Sequence, residues 1–126
     1  MKQAILIKPK ESGMTVVTVI PFETGSLDFY YKELECDCID IVHAYGLSVP
    51  ADIIVDDEGL FAEEPKTNLP ASIAYGVLEH GQPIVGNALI CGYKETRNGV
   101  VEVGFELEDI QKILTEIHTK MKGVKE

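Results

Sequence analysis

The side chains with chemistry to offer are three histidines, three cysteines and twenty-one carboxylates. Cys36 and Cys38 stand one residue apart, so they do not make the CxxC pair of a redox motif. A zinc site would need a further ligand from His43, His80 or His118, and none of them stands at a recognised spacing. An odd number of thiols gives no disulfide framework. Free thiols are expected instead, with Cys91 buried as a small hydrophobe in an apolar run. No metal and no cofactor is expected. Asp56-Asp57-Glu58-Gly59 lacks the alternating acids, the sixth-position glycine and the closing glutamate of an EF-hand, and reads as a turn. Gly86-Asn87-Ala88 fits neither GxxxxGK[ST] nor GxGxxG, so it is no phosphate-binding loop.

Two groups of residues remain. The first lies in segment 63–87, where Asn68, Ser72, Tyr75, His80 and Asn87 offer amide, hydroxyl, phenol and imidazole groups to a small molecule or nucleotide. His80 with Glu79 or Glu64 is the acid–base pair this segment could supply. No nucleophile–base spacing accompanies it, so catalysis would need groups that converge only in the fold. Binding or sequestration is therefore favoured over an enzyme.

The second group is electrostatic. The formal net charge is −10, which argues against nucleic acid as a direct ligand. Residues 23–64 hold Glu23, Asp28, Glu33, Glu35, Asp37, Asp40, Asp52, Asp56, Asp57, Glu58, Glu63 and Glu64 against the single base Lys32. Such a field attracts a basic surface on another protein. The residues expected to meet that partner are Asp28, Glu33, Glu35, Asp37, Asp56, Asp57, Glu58, Glu63 and Glu64. The competing reading is a solvated face that serves solubility alone.

Short strands and helices must position these groups. The 126 residues suit one domain, 1–126, with an ordinary globular composition of 45% hydrophobic and 25% charged residues. Residues 3–9 (QAILIKP) and 14–20 (MTVVTVI) read as a β-hairpin about a turn at 10–13. Ser26 is a natural N-cap for a helix over 27–35, with Leu27, Tyr30, Tyr31 and Leu34 on its inner face. Residues 38–45 alternate as a strand, with Ile39, Ile41, His43 and Tyr45 on one side. A strand over 51–55, a turn at 56–59 and a returning strand over 60–62 follow. A short helix with Pro70 in its first turn should bury Ile73, Val77 and Leu78 and stop at Gly81. Residues 83–93 (PIVGNALICGY) form the central strand, joined through an Asn98-Gly99 turn to 100–105. From Glu106 onward, Leu107, Ile110, Ile113, Leu114, Ile117 and Met121 make the apolar stripe of a helix that ends at Gly123.

The fold class that results is α+β: a mainly antiparallel sheet covered by the C-terminal helix and one or two shorter helices. No apolar run is long enough to cross a membrane. The N-terminal run is too short for a signal-peptide core, so a cytoplasmic location is expected.

The order KQAILIKP, DIIVDDEG, Asn68 with Ala71-Ser72, PIVGNALICG and a C-terminal helix resembles a family catalogued as domain of unknown function 3846, found largely in phages and other mobile elements. The resemblance covers the first strand and most of 52–117, with 21–50 as an insertion or divergent part. It implies a phage or mobile-element setting and carries over no catalytic residues. Together with the charge it leads to one expectation: a small acidic protein that binds and modulates a host protein, as an anti-defence inhibitor imitating nucleic-acid charge. The alternative is the small-molecule site in 63–87. Oligomeric state is left open, a homodimer included.

Overall fold

The computed structural model describes residues 2–10, 14–23, 26–58, 65–77 and 83–124. The β-branched runs form strands as their composition dictates: β1 (Gln3–Pro9) and β2 (Thr15–Pro21) pair antiparallel, with Gln3 opposite Pro21 and Pro9 opposite Thr15. β3 (Ile39–His43) pairs antiparallel with β4 (Asp52–Asp56), and β5 (Ala88–Thr96) with β6 (Gly99–Val103). The order across the sheet is β2-β1-β5-β4-β3, with β6 joined to the far half of β5. The apolar run predicted to be central is the middle strand. It begins at Ala88 rather than Pro83, because the chain bends through Gly86, which takes φ of 86°, after a lone bridge between Thr67 and Val85.

Period-two alternation divides the core between the two faces of this sheet. One face carries Ile5, Ile7, Ile53, Val55 and Ile90 and is covered by α2 (Leu69–Tyr75) and α3 (Leu107–Val124), which contribute Ile110, Ile113 and Ile117. The other carries Ala4, Leu6, Ile54, Leu89 and Cys91 and is covered by α1 (Leu27–Leu34). A fully buried isoleucine or leucine contributes about 1.5–3 kcal/mol, so the two layers supply most of the driving force for folding.

Helix boundaries follow local chemistry. Ser26 caps α1, its Oγ accepting from Phe29 N–H. The buried face of α1 is Phe29, Tyr30 and Leu34; Leu27 is exposed and Tyr31 half-buried, because the helix is rotated so that Phe29 and Tyr30 meet Phe22. Asn68 caps α2, which ends at Gly76 (φ 96°), five residues before the predicted stop; Leu78 and Gly81 lie outside the described residues. The second hairpin closes through Arg97-Asn98, with Thr96 opposite Gly99. This is one residue earlier than predicted, with Thr96 Oγ1 donating to Gly99 O and accepting from Asn98 N–H. α3 runs through Gly123 instead of stopping there, and its first apolar residue, Leu107, is exposed. The returning strand expected over 60–62 falls outside the described residues.

Candidate functional site

Strand register assembles a polar row that no sequence motif announces. His43 on β3 lies opposite Asp52 on β4, and Asp52 lies opposite Cys91 on β5. One strand further along, Tyr93 lies opposite Glu102 on β6. Residues two apart on a strand share a face, so all five side chains emerge on the α1 side of the sheet. Cys91 and Asp52 are buried there near Tyr30 of α1, and the row runs outward to the exposed His43. Asp52 Oδ1 is 2.6 Å from His43 Nδ1; the Asp52 side chain is 2% exposed and that of His43 56%. Asp52 is also hydrogen-bonded to Glu102, and Cys91 Sγ donates to Glu102 Oε2 at 3.6 Å. The result is an unbroken chain of titratable groups: imidazole, carboxyl, carboxyl, thiol.

The electrostatics follow from burial. Glu102 is pushed up from 4.5 to about 7, first by desolvation, then by the hydrogen bond to Asp52 and by the Asp52 charge. Two hydrogen-bonded carboxyls need a proton between them, which is why Glu102 holds its proton more tightly than an ordinary carboxyl. Burial, with Glu102 next to it, pushes the Cys91 thiol far above its ordinary range. That thiol is a poor nucleophile, and the row offers acid–base chemistry without covalent attack. With Nδ1 anchored on a buried carboxylate, the imidazole is held in one orientation and Nε2 is the ring atom left for a ligand.

Aromatic rings wall the exposed end. His43 packs against Tyr45 and Tyr93 with centroids 5.7 and 5.8 Å away, and Tyr45 packs against Tyr75 at 6.1 Å. A recess of about 260 Å³ lies there between His43, Tyr45, Leu47, Val49 and Tyr93. α3 fixes its rim: Glu116 Oε1 accepts from Ser48 N–H at 2.9 Å, and Lys120 Nζ donates to Gly46 O. Burial opposes ionisation of Glu116, but hydrogen bonds from Ser48 and Lys120 outweigh it and hold that carboxyl below its ordinary range.

The acids of 23–64 do not form one face. Asp37, Asp40, Asp56, Asp57 and Glu58 gather where β3 begins and β4 ends, with Ile39 opposite Asp56 and Asp57 N–H donating to Cys38 O at 3.0 Å. Asp40, Asp56 and Asp57 line a recess of about 220 Å³ there. Two of these acids also serve the backbone: Asp40 Oδ1 accepts from Ile41 N–H and Asp56 Oδ1 from Glu58 N–H, each at 2.9 Å. Among the described residues none of the five is ion-paired. Asp28 and Glu33 stand apart, on α1 beside Lys32 and Glu23. Glu35 is bound to Lys8 at 2.8 Å, which lowers its carboxyl. Asp52 is buried, and Glu63 and Glu64 lie outside the described residues.

In segment 63–87 the polar side chains hold the fold together. Asn68 is fully buried; Oδ1 accepts from Ala71 N–H, and Nδ2 donates to Ile7 O and Gly86 O. Ser72 Oγ donates to Asn68 O and accepts from Ile84 N–H. Asn87 Nδ2 donates to Leu34 O. Tyr75 joins the ring wall near His43, while Glu79 and His80 lie outside the described residues. Of the described ligand residues expected in this segment, only Tyr75 approaches the His43 recess, through its contact with Tyr45, and its own ring lines the recess beside Asp40, Asp56 and Asp57. Sequence reading missed Asp52, Glu102 and Tyr93. The available signals were an Asp opening the apolar run DIIV and a Glu inside VVEV.

Among the described residues no group of three or more His, Cys, Asp and Glu side chains is arranged to hold a metal ion, and no helix is long and apolar enough to cross a membrane. Neither the curated proteins nor the solved structures include a match to this chain. The family model described as Domain of unknown function (DUF3846) matches residues 1–115. That span takes in 21–50, so the likeness is not confined to the first strand and 52–117. With most of its 126 residues inside that match, the chain belongs to the DUF3846 family.

Proposed function

We propose that this chain is an acidic interaction protein of phage or mobile-element type, acting in the cytoplasm by docking its β3–β4 end on a basic host protein and modulating it. One observation carries the reading: Asp37, Asp40, Asp56, Asp57 and Glu58 converge at one end of the sheet and, among the described residues, have no cationic partner. Five carboxylates at the end of a rigid strand pair imitate a short run of phosphates. The fitting partner is a Lys/Arg-lined groove that ordinarily holds nucleic acid, as in a defence enzyme. The test is capture from host lysate at low and high salt, with a variant carrying Asp37→Asn, Asp40→Asn, Asp56→Asn, Asp57→Asn and Glu58→Gln. The amides keep the acceptors used by Ile41 and Glu58. A basic protein should be retained at low salt, released at high salt and bound roughly tenfold or more weakly by the variant. Binding indifferent to both salt and the substitutions sinks the proposal.

A second reading rests on the His43–Asp52–Glu102 chain and its aromatic recess: a small-molecule site with acid–base capacity. It stands beside the site expected in 63–87, where the amide groups of Asn68 and Asn87 and the Ser72 hydroxyl are engaged within the fold and His80 lies outside the described residues. A thermal-shift panel of nucleotides and metabolites tests it: a stabilising ligand should lose its effect in His43→Ala, and an empty panel counts against this reading.

A further inference from the structure

The two ends of the sheet differ in kind. β3, at one end, is surrounded by acids. β2, at the other, is an edge strand without a single charge: no Asp, Glu, Lys or Arg occurs from Met14 to Phe22. Native proteins usually blunt an edge strand with a charge, an internal proline or a bulge, because its unpaired backbone groups template further pairing. β2 spans seven residues, pairs without a bulge and exposes Val16, Val17 and Val19 on both of its faces.

The hydrogen-bond phase is fixed by its neighbours. Lys10 N–H donates to Met14 O at 2.7 Å and Phe22 N–H to Lys2 O at 3.1 Å, so the even-numbered residues of β2 turn their backbone groups to β1. Thr15, Val17 and Val19 therefore turn theirs outward, and among the described residues no strand pairs with them.

We infer that a second copy of this chain covers that edge, pairing β2 antiparallel with its own copy about a two-fold axis at Val17. This register is self-complementary. Val17 meets Val17 and Thr15 meets Val19 as hydrogen-bonded pairs, while Val16 meets Thr18 between them. Every apposed side chain is β-branched and uncharged, the composition that cross-strand packing favours. Pro21 has no N–H and ends the ladder. Charge selects the occupant as well: a chain of net charge −10 meets its copy most cheaply where it carries no acid, and a basic partner finds nothing to bind there. The two-fold closes, so the product is a dimer with one continuous sheet rather than a filament.

Sedimentation equilibrium of the full chain from about 1 to 200 µM tests the inference, with Val17→Lys and Val17→Pro as variants. Val17 is an exposed residue whose N–H points outward, so both variants keep the β1–β2 pairing; matching circular dichroism melts verify that they fold. The wild type should reach twice 13.9 kDa. Val17→Lys, which sets lysine against lysine, and Val17→Pro, which removes the central donor, should raise the dissociation constant at least roughly tenfold. A wild type that stays monomeric, one that forms open polymers, or folded variants that dimerise as well as the wild type would each overturn it.

Discussion

Glu102 makes the fold lose stability as the solution turns from mildly acidic to neutral. Its carboxyl stands at about 7 in the folded chain against an ordinary 4.5, so the folded state holds the proton more tightly than the unfolded state. The stabilisation is complete below the unfolded value and is lost as pH rises through the folded one. At about 1.4 kcal/mol for each tenfold change in proton affinity, the ceiling is about 3 kcal/mol. The side chain is partly exposed, and solvent screening brings the expected loss to about 1–2 kcal/mol between pH 5 and 8. The groups facing it are His43 from β3, Asp52 from β4, Cys91 from β5 and Tyr30 from α1. Glu102→Gln isolates its share, because the amide still donates to Asp52 but cannot ionise. Urea unfolding followed by circular dichroism at half-unit steps of pH is the assay. The wild type should lose about 1–2 kcal/mol more than Glu102→Gln across this window. Parallel curves for the two proteins, or a wild type that gains stability relative to the variant as pH rises, would refute the shared-proton geometry.

Asn68→Ala removes the α2 cap and strands the carbonyls of Ile7 and Gly86, for an expected loss of about 3 kcal/mol in chemical denaturation. Asn68→Asp keeps the capping acceptor but loses both donors and buries a charge, so it should do no better. Gly46→Ala drives a Cβ into Ile73 O and against Gly76 N, costing at least about 2 kcal/mol, whereas Gly123→Ala meets open space on a helix and should gain about 0.5–1 kcal/mol; thermal melts distinguish the two. Ellman's reagent should reach the exposed Cys38 first and Cys36 more slowly, and should reach Cys91 only after denaturation, since that thiol is buried and its proton firmly held.

Much of this fold is legible in the sequence because local chemistry and tertiary position agree. The TVVTVI and ALICGY runs, the Ser26 cap and the Ile110–Ile113–Ile117 stripe each specify an element that packing then keeps. Boundaries slip where a neighbour intervenes. Gly76 in the left-handed region ends α2 ahead of Gly81, and Phe22 turns α1 so that Phe29 rather than Leu27 is buried. The site was hidden for another reason. Asp52 and Cys91 are 39 positions apart and meet only through the β4–β5 register, a long-range property no local spacing encodes. Conversely, the polar residues of 63–87 looked like ligand groups because a buried capping Asn and a binding Asn are the same residue type; only the partners at Ile7, Ala71 and Gly86 separate them.

Sheet order gives these assignments a common logic. β2 and β3 are the two ends of the main strand path, and β1, β5 and β4 lie between them. A dimer joined at β2 leaves both β3 ends free and turns them outward, one acidic end at each extremity of a continuous sheet. The charge asymmetry of the sequence then serves both associations: repulsion between acidic ends directs self-pairing to the uncharged edge, and the same acids stay available to a basic partner. Two acidic ends on one dimer bind a partner that has two basic grooves more tightly than either end alone, through effective concentration. Val17→Lys should therefore weaken capture of such a partner although it touches none of the acids, while leaving capture of a partner with one groove unchanged.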